Sequence, residues 1–168
     1  MITQERLKEV LRYEPETGFF FWRVRKANCI SIGDRAGSLS SDGYWHLRID
    51  GKQYKAHRAA WLYVHGAFPK GHLDHKNQIK TDCRIENLRE ATREQNLANQ
   101  GSRKSYSNLR GVYWRKAMGK WGAQISRNRK HIHLGFFSTA EEAHAAWCVV
   151  AKQLDGEFFY SGTERSPL

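Results

Sequence analysis

The chain has 168 residues, of which 40% are apolar and 12% aromatic, which is enough for one ordinary domain or two small ones. Lys and Arg number 28 against 17 Asp and Glu, so the formal net charge is +11 and a polyanion is the expected partner. Three separated cysteines without a CxxC pair argue against a disulfide framework and a zinc site, and the lack of a long apolar run excludes a membrane span and a signal peptide.

The N-terminal segment predicts a short helix followed by a strand. Thr3 is a suitable N-cap, and Leu7, Val10 and Leu11 share one helical face. We expect this helix to continue until Pro15 and the nearby glycine stop it. The run FFFWRV at 19–24 then predicts a buried strand.

A hairpin and a second helix are predicted next. Apolar and polar residues alternate over 45–49, and the pair Asp50-Gly51 that follows is a strong hairpin signal. The sequence AHRAAWLYVHGAF then changes to helical spacing. Its apolar side and its stop are formed by Ala60, Trp61, Val64 and Gly66.

The second half of the chain predicts a helix, a linker and a small sheet. A returning strand, NLREAT, leads into a helix that begins at Thr92 with Glu94 and Gln95 in its first turn. The basic, polar residues 101–108 mark the domain boundary. Beyond them we expect three strands, with turns near Gly119 and Asn128, and then one amphipathic helix. That helix has a predicted capping box of Ser138 and Glu141 and a stripe formed by Ala143, Ala146, Trp147, Val150 and Leu154.

Charge is distributed unevenly between the two halves. Residues 101–140 carry nine Lys or Arg and no Asp or Glu, whereas residues 1–100 carry seventeen basic and twelve acidic residues. The small sheet is therefore the predicted basic surface.

Residues 71–92 carry two histidines, two aspartates and two asparagines, so they indicate a site rather than a packed element. Asp74 and His75 are adjacent in an extended segment, where neighbouring side chains diverge. A carboxylate suits a hard cation that keeps water and phosphate ligands, and a histidine that titrates near neutral pH suits a general base. Asn96 is the candidate for a second oxygen ligand, and Asn87 is suited to hydrogen-bond the backbone and hold the His75 segment.

The segments LDH, RIENLREAT and EQN, in this order, resemble the HNH nuclease family, and within it most closely the phage and intron homing endonucleases. The resemblance implies a ββα-metal (His-Me finger) motif at about 57–100. It implies Asp74 and Asn96 as metal ligands, His75 as the general base, and Asn87 as the catalytic asparagine that constrains it. We expect one divalent cation per active site, because only one cluster of oxygen ligands is visible in the sequence, with Mg²⁺ as the first candidate, Mn²⁺ as the second, and no zinc.

Other positions both match and depart from that family. The pair His57-Arg58 and the downstream Arg84 fit the subgroup. We expect His57 and Arg58 to be structural or phosphate-contacting residues near the site, and Arg84 to contact DNA. At 77–78 and 82–83 this chain has Asn-Gln and Asp-Cys, where the family often has Asp-Gly and Asn-Asn. The loop between the two strands is therefore where the resemblance is weakest.

The pattern RGVYWRKAMGKWGAQI, followed by HLGFFSTAEEAHAAW, resembles the AP2 DNA-binding domain. In that family a three-stranded antiparallel sheet packs on one helix and reads the major groove with its exposed face. The resemblance, together with the basic run SRNRKH, implies DNA contacts by Arg110, Trp114, Arg115, Lys120, Gln124, Arg127, Arg129, His131 and His133.

We therefore expect an α+β protein with an HNH nuclease domain at 1–100, a basic linker at 101–108 and an AP2-like domain at 109–168. The expected function is metal-dependent hydrolysis of phosphodiester bonds in double-stranded DNA, by nicking or by double-strand cleavage. We expect a cytoplasmic monomer or weak dimer without membrane association, encoded by a bacterium or a phage. Two alternatives are a DNA-binding regulator with an inactive nuclease fold, and a structure-specific or packaging-associated nuclease with little sequence preference.

Overall fold

The computed structural model of this protein describes residues 1–26, 29–99, 107–127 and 130–162. The chain divides into two compact units, Met1–Ala91 and Thr92–Leu168. Helices occur together with small antiparallel sheets, which confirms the predicted α+β class. The predicted boundary at 101–108 stays a prediction, because residues 101–106 lie outside the described part. In that part, no helix has the length and apolar character needed to cross a membrane.

Over its described residues, the first unit combines two α-helices with three small sheets. In chain order its elements are α1 (Gln4–Val10), β1 (Leu11–Glu14), β2 (Phe19–Trp22), β3 (Ser38–Leu39), β4 (Trp45–Ile49), β5 (Lys52–Lys55), α2 (Ala56–His65), β6 (His72–His75) and β7 (Leu88–Ala91). The sheets are β1-β2, β3-β4-β5 and β6-β7. One apolar core joins them, and Leu7, Phe20 and Leu47 are among its fully buried members.

Helix α1 begins as predicted and ends earlier than predicted. Thr3 is the N-cap, and its hydroxyl accepts a hydrogen bond from the Arg6 N–H at 3.3 Å. The expectation that the helix continues toward Pro15 is wrong, since Leu11 already pairs with Trp22 in the β1–β2 hairpin. Pairing with β2 gives Leu11 a buried position in a strand, so tertiary contacts override its helical spacing. The predicted strand at 19–24 forms and ends at Trp22.

The predicted Asp-Gly hairpin is confirmed between β4 and β5. Ile49 pairs with Lys52, and the two turn residues Asp50 and Gly51 have φ of +47° and +77°. Positive φ at both central residues is the geometry that suits the twist of a two-residue hairpin.

Helix α2 follows β5 directly and ends at Gly66, which has φ of +80°. The predicted apolar side is partly wrong, since Val64 is 45% exposed and Trp61 only partly buried. The buried side instead carries Ala56, His57, Ala59, Ala60 and Leu62. Small residues on this side allow the helix to approach the sheet closely.

The second unit confirms the predicted order of three strands and a helix. Its elements are α3 (Arg93–Ala98), β8 (Val112–Arg115), β9 (Lys120–Arg127), β10 (Lys130–Phe137) and α4 (Ala140–Asp155). The strand order is β10-β9-β8, and α4 packs on this sheet through Ala143, Trp147 and Ala151. The predicted turn near Asn128 lies outside the described residues.

The N-terminal caps of the two helices agree only partly with the sequence predictions. The capping box of α3 pairs Thr92 with Gln95, at the residues predicted to begin the helix. In α4 the box is formed by Thr139 and Glu142, so the predicted Ser138 and Glu141 are wrong by one residue. The Glu142 carboxylate accepts the backbone N–H groups of both Ser138 and Thr139, at 3.1 and 3.3 Å, which fixes this register. The predicted stripe ends early, because Leu154 is 51% exposed.

Candidate active site

The β6–β7 hairpin carries the two predicted residues Asp74 and His75 at the end of its first strand. Asp74 lies opposite Arg89, and His75 lies opposite Leu88. Both predicted residues are buried, with 4% and 5% of their surfaces exposed. Leu73 and Leu88 are buried as well, so apolar packing holds the hairpin that presents the polar pair.

Asp74 forms an ion pair across the hairpin. Nε and Nη2 of Arg89 both lie 2.9 Å from Asp74 Oδ2. The Arg89 side chain is 14% exposed, so this pair is shielded from solvent. Arg89 was not among the predicted site residues. The register of the predicted hairpin is the signal that could have found it, because it places this arginine opposite the aspartate.

The imidazole of His75 lies in a histidine and tyrosine cluster. Its ring centroid is 4.9 Å from that of His57, edge to face, and 6.0 Å from that of Tyr44. Burial lowers the pKa of His75 to about 4; the charge of Asp82 opposes this shift, and that of Lys80 adds to it. His75 is therefore neutral at neutral pH, which is the form that can accept a proton.

His57 contributes the second buried imidazole. It is the second residue of α2, and its ring also lies 5.1 Å from that of Tyr44. Its pKa is lowered to about 3, chiefly by burial and then by the charge of a protonated His75. Its Nδ1 is buried and, within the described part of the chain, has no hydrogen-bond partner. These contacts place His57 beside the predicted base, and its predicted role toward DNA stays a prediction.

Asn87 joins the two arms of the loop that connects the hairpin strands. Its Oδ1 accepts the Asn77 N–H at 3.0 Å, and its Nδ2 donates to the Asp82 carbonyl at 3.0 Å. The backbone carbonyl of Asn87 accepts the Lys76 N–H at 2.9 Å. The side chain therefore fastens the segment directly after His75, as its predicted place in the turn requires, and its catalytic role stays a prediction.

Two basic residues predicted to contact DNA near the site have protein partners. Arg84 binds Asp82 with two bonds, from Nε at 2.9 Å and from Nη2 at 2.7 Å, and holds the pKa of that carboxyl below its usual range. Arg58 donates to the carbonyls of Gly71 at 3.3 Å and Pro69 at 3.4 Å. Each guanidinium thus supports a loop beside the site.

Three further residues near His75 were not predicted. Tyr44 contacts both buried imidazoles, and the ammonium groups of Lys55 and Lys80 lie over its ring. Tyr44 and Lys55 come from β4, β5 and the turns beside them, far from the hairpin in sequence. No local pattern connects them with residues 71–92, so sequence reasoning had no signal for this cluster.

The predicted ligand Asn96 lies on α3, in the second unit. It is partly buried, and its backbone N–H donates to the Thr92 carbonyl at 3.0 Å. No group of three or more His, Cys, Asp or Glu in the described ranges is arranged to hold a metal ion. The predicted donors, a carboxylate and a side-chain amide, fit a hard dication that takes few protein ligands and keeps water and phosphate oxygens. The ligand roles of Asp74 and Asn96 stay predictions.

The predicted DNA contacts of the second unit fall into two groups. Arg110 donates to the carbonyls of Leu97 and Tyr160 at 2.9 and 3.1 Å, and Arg127 forms an ion pair with Asp155. Exposed positions on the strands and turns of the sheet are occupied by Trp114, Arg115, Lys120, Gln124, His131 and His133. Arg129 lies outside the described residues. The exposed group remains available to a ligand, whereas the first two arginines have structural partners.

Comparison with known proteins gives one family. Residues 54–98 match the family model described as HNH endonuclease. This span includes the buried pair Asp74 and His75, their neighbour His57, and the two predicted asparagines, Asn87 and Asn96. The comparison with curated proteins gives no match. Residues 54–98 are therefore similar to the HNH endonuclease family.

Proposed function

We propose that this protein is a metal-dependent DNA endonuclease of the HNH homing type, which hydrolyses phosphodiester bonds in duplex DNA. The observation that carries the proposal is the buried, neutral His75 directly beside Asp74, inside the span that matches the HNH endonuclease family. A neutral imidazole next to a buried carboxylate can accept a proton from water at the place where a phosphate is held.

In the proposed mechanism, His75 accepts a proton from the water that attacks the scissile phosphate. Asn87 keeps the His75 segment in place through its bonds to Asn77 and Asp82, so the imidazole does not need to reorient during the reaction. Burial and the charges of Lys80 and Lys55 favour the neutral form of the base.

Asp74 and Asn96 are the proposed ligands of one divalent cation, with Mg²⁺ as the first candidate and Mn²⁺ as the second. When bound, the cation supplies positive charge that stabilises the phosphate oxygens and the leaving 3′ oxygen in the transition state. Arg89 orients the carboxylate of Asp74 by binding its Oδ2. In this way the β6–β7 hairpin would present a base and a ligand on neighbouring residues.

The sheet of the second unit is the proposed target-recognition surface, of the AP2 type. Residues 101–140 carry nine basic and no acidic residues, and one face of the sheet is covered by α4. The exposed Arg115 on β8 and Gln124 on β9, which lie on the face opposite buried Val112 and Ala123, suit a β-type contact with DNA.

Plasmid cleavage tests the activity directly. The full chain should cut plasmid DNA with Mg²⁺ or Mn²⁺ and should fail to cut it with EDTA. His75→Ala and Asp74→Ala should lose cleavage by at least about a hundredfold, because each removes a group that acts on the reacting atoms. His65→Ala is the matched control, since this exposed histidine lies at the end of α2.

Two outcomes would redirect the proposal. Full cleavage by His75→Ala would exclude it as the base. Specific DNA binding by the parent without cleavage of any DNA would instead favour a regulator with an inactive nuclease fold. Because each chain has one proposed site, a monomer should produce nicked circles before linear DNA.

A further inference from the structure

Two lysines from separate segments converge on one aromatic ring beside His75. Lys55 ends β5, and its Nζ lies 3.7 Å from the ring centroid of Tyr44. Lys80 lies in the loop between β6 and β7, and its Nζ lies 4.9 Å from the same centroid. The face of an aromatic ring attracts cations, so Tyr44 can hold both ammonium groups near each other.

Asp42 is the second feature that the two lysines share. Lys55 Nζ lies 3.2 Å from the Asp42 carboxylate, and Lys80 Nζ donates to the Asp42 backbone carbonyl at 3.2 Å. The same carboxylate lies 3.3 Å from His46. The cluster contains one carboxylate and two ammonium groups, so it keeps a net positive charge.

The cluster is open to solvent on the side of the lysines. The side chain of Lys55 is 38% exposed, that of Asp42 is 41% exposed, and Lys80 is exposed as well. Exposed ion pairs of this kind contribute little to stability. Stabilisation of the fold therefore does not explain why the two lysines meet at Tyr44 and Asp42.

The position of the cluster connects it with the proposed chemistry. The ring of Tyr44 lies 6.0 Å from the ring of His75, and the charges of both lysines act on that imidazole. A polyanionic strand bound at His75 would therefore pass within reach of the two ammonium groups.

We propose that Lys55 and Lys80, held by Tyr44, form a binding site for a backbone phosphate next to the one that is cut. The inference rests on the proposed function, since it assigns the site to the substrate of that nuclease. Lysine binds phosphate as a point charge, which suits a contact that positions a strand without reading its sequence. Asp42 keeps the two ammonium groups in place until the phosphate binds.

Salt dependence of DNA binding is the measurement that separates this role from a structural one. Binding of the full chain to a mixed-sequence duplex is measured by fluorescence anisotropy over a series of NaCl concentrations, in the His75→Ala background. If both lysines bind one phosphate, Lys55→Gln and Lys80→Gln should each weaken binding. The double change should lower the slope of log K against log[NaCl] by about 0.9, the value for one lost phosphate contact.

Matched variants keep the test decisive. Lys52→Gln removes the same charge from the same strand, but Lys52 lies beside Met1 and Asp50 and should leave the slope unchanged. Lys55→Arg and Lys80→Arg keep the charge and should retain the slope, with thermal unfolding as the check on folding. An unchanged slope in the double glutamine variant, or an equal loss in Lys52→Gln, would overturn the inference.

Cleavage kinetics separate failure of the inference from failure of the proposed function. With an active parent, the two glutamine variants should raise KM and leave kcat unchanged, because a neighbouring phosphate is bound equally in the ground and transition states. A fall in kcat with unchanged KM would contradict the assignment to a neighbouring phosphate. If the parent cuts no DNA, the proposed nuclease fails, while the salt slope still decides whether the two lysines bind phosphate.

Discussion

His57 and His75 lie edge to face in the first unit, with ring centroids 4.9 Å apart and both side chains almost completely buried. They come from different elements, the first turn of α2 and the end of β6. Burial disfavours a charge on either ring, and a proton on one ring would repel a proton on the other. The pair is therefore a neutral unit, and its protonation is linked to the stability of the fold.

That linkage predicts how stability depends on pH. Burial lowers the pKa of His57 from 6.5 to about 3, and the charges of His75, Lys55, Arg58 and His46 act in the same direction. Between a pH of about 3 and a pH of 6.5, His57 binds a proton in the unfolded chain but not in the folded protein. The free energy of unfolding should therefore rise with pH over this range. His57→Leu should reduce this rise in urea unfolding measured from pH 4 to pH 8.

The same substitution also tests the Nδ1 of His57, which has no hydrogen-bond partner among the described residues. Replacing a buried polar atom that lacks a hydrogen bond with an apolar group of similar size should leave stability at neutral pH unchanged or increase it by about 1 kcal/mol. His65→Leu, at the exposed end of the same helix, is the control. An unfolding free energy that keeps its full pH dependence in His57→Leu would show that another group is responsible.

Tyr13 ties the β1–β2 hairpin to the loop of the candidate site. Its hydroxyl donates to the Cys83 carbonyl at 2.9 Å and accepts the Ile85 N–H at 3.0 Å, in a buried position. Tyr13→Phe leaves both backbone groups without this partner, so the free energy of unfolding should fall by about 1 to 3 kcal/mol. Tyr63→Phe, on the adjacent ring, should cost less. Equal losses in urea unfolding for the two variants would contradict a special role for the Tyr13 hydroxyl.

Local patterns were sufficient to predict several elements. The Asp50-Gly51 turn and the capping box at Thr92 both depend on neighbouring residues, and both are present as predicted. The end of α1 was predicted wrongly, because Leu11 pairs with Trp22 in the β1–β2 hairpin. This pairing cannot be predicted from the helical spacing of residues 7–11. Local chemistry thus fixes turns and caps, whereas pairing between segments decides where a helix stops.

The candidate site shows the same limit. The order of polar residues in 71–92 was enough to propose Asp74 and His75, and the structure places them together at the end of β6. Tyr44 and Lys55 lie near His75 only because β4 and β5 pack against α2. The spacing of residues in the sequence therefore does not predict that they belong to the site. The chemistry of a motif can be predicted, but its surroundings depend on the tertiary fold.

Gln78 occupies a backbone conformation that favours glycine. Its φ is +63°, and it follows Asn77, whose Oδ1 accepts the Ile79 N–H at 3.0 Å and closes the turn. A non-glycine residue in this backbone conformation destabilises the fold by about 1 to 2 kcal/mol. Glycine avoids this strain, but it loses more conformational entropy on folding, so only part of the difference is recovered by the substitution. Gln78→Gly should therefore raise the free energy of unfolding by up to about 1 kcal/mol. Thr81→Gly, in the same loop, should lower it, and a loss of equal size in both variants would show that the Gln78 backbone carries no strain.

Arg110 supports the C-terminal turn of α3, and its predicted contact with DNA stays a prediction. Its guanidinium donates to the carbonyls of Ala98 at 2.5 Å, Leu97 at 2.9 Å and Tyr160 at 3.1 Å, and it lies over the ring of Trp147. The first two carbonyls belong to the C-terminal turn of α3, where a positive charge and hydrogen-bond donors are favourable.

Replacing this guanidinium should reduce stability more than it reduces DNA binding. Arg110→Lys keeps the charge, but a single ammonium cannot reach three separate carbonyls, so the free energy of unfolding should fall by about 1.5 to 3 kcal/mol. Arg115→Gln, at an exposed position on β8, should change stability by less than about 0.5 kcal/mol and should lower the salt slope of DNA binding by about 0.9. Urea unfolding and fluorescence anisotropy on the same two variants measure both quantities. A structural role for the guanidinium requires that Arg110→Lys lower the free energy of unfolding. If this variant instead unfolded like the parent and lost DNA affinity, Arg110 would act by contacting DNA, and its bonds to α3 would contribute little to stability.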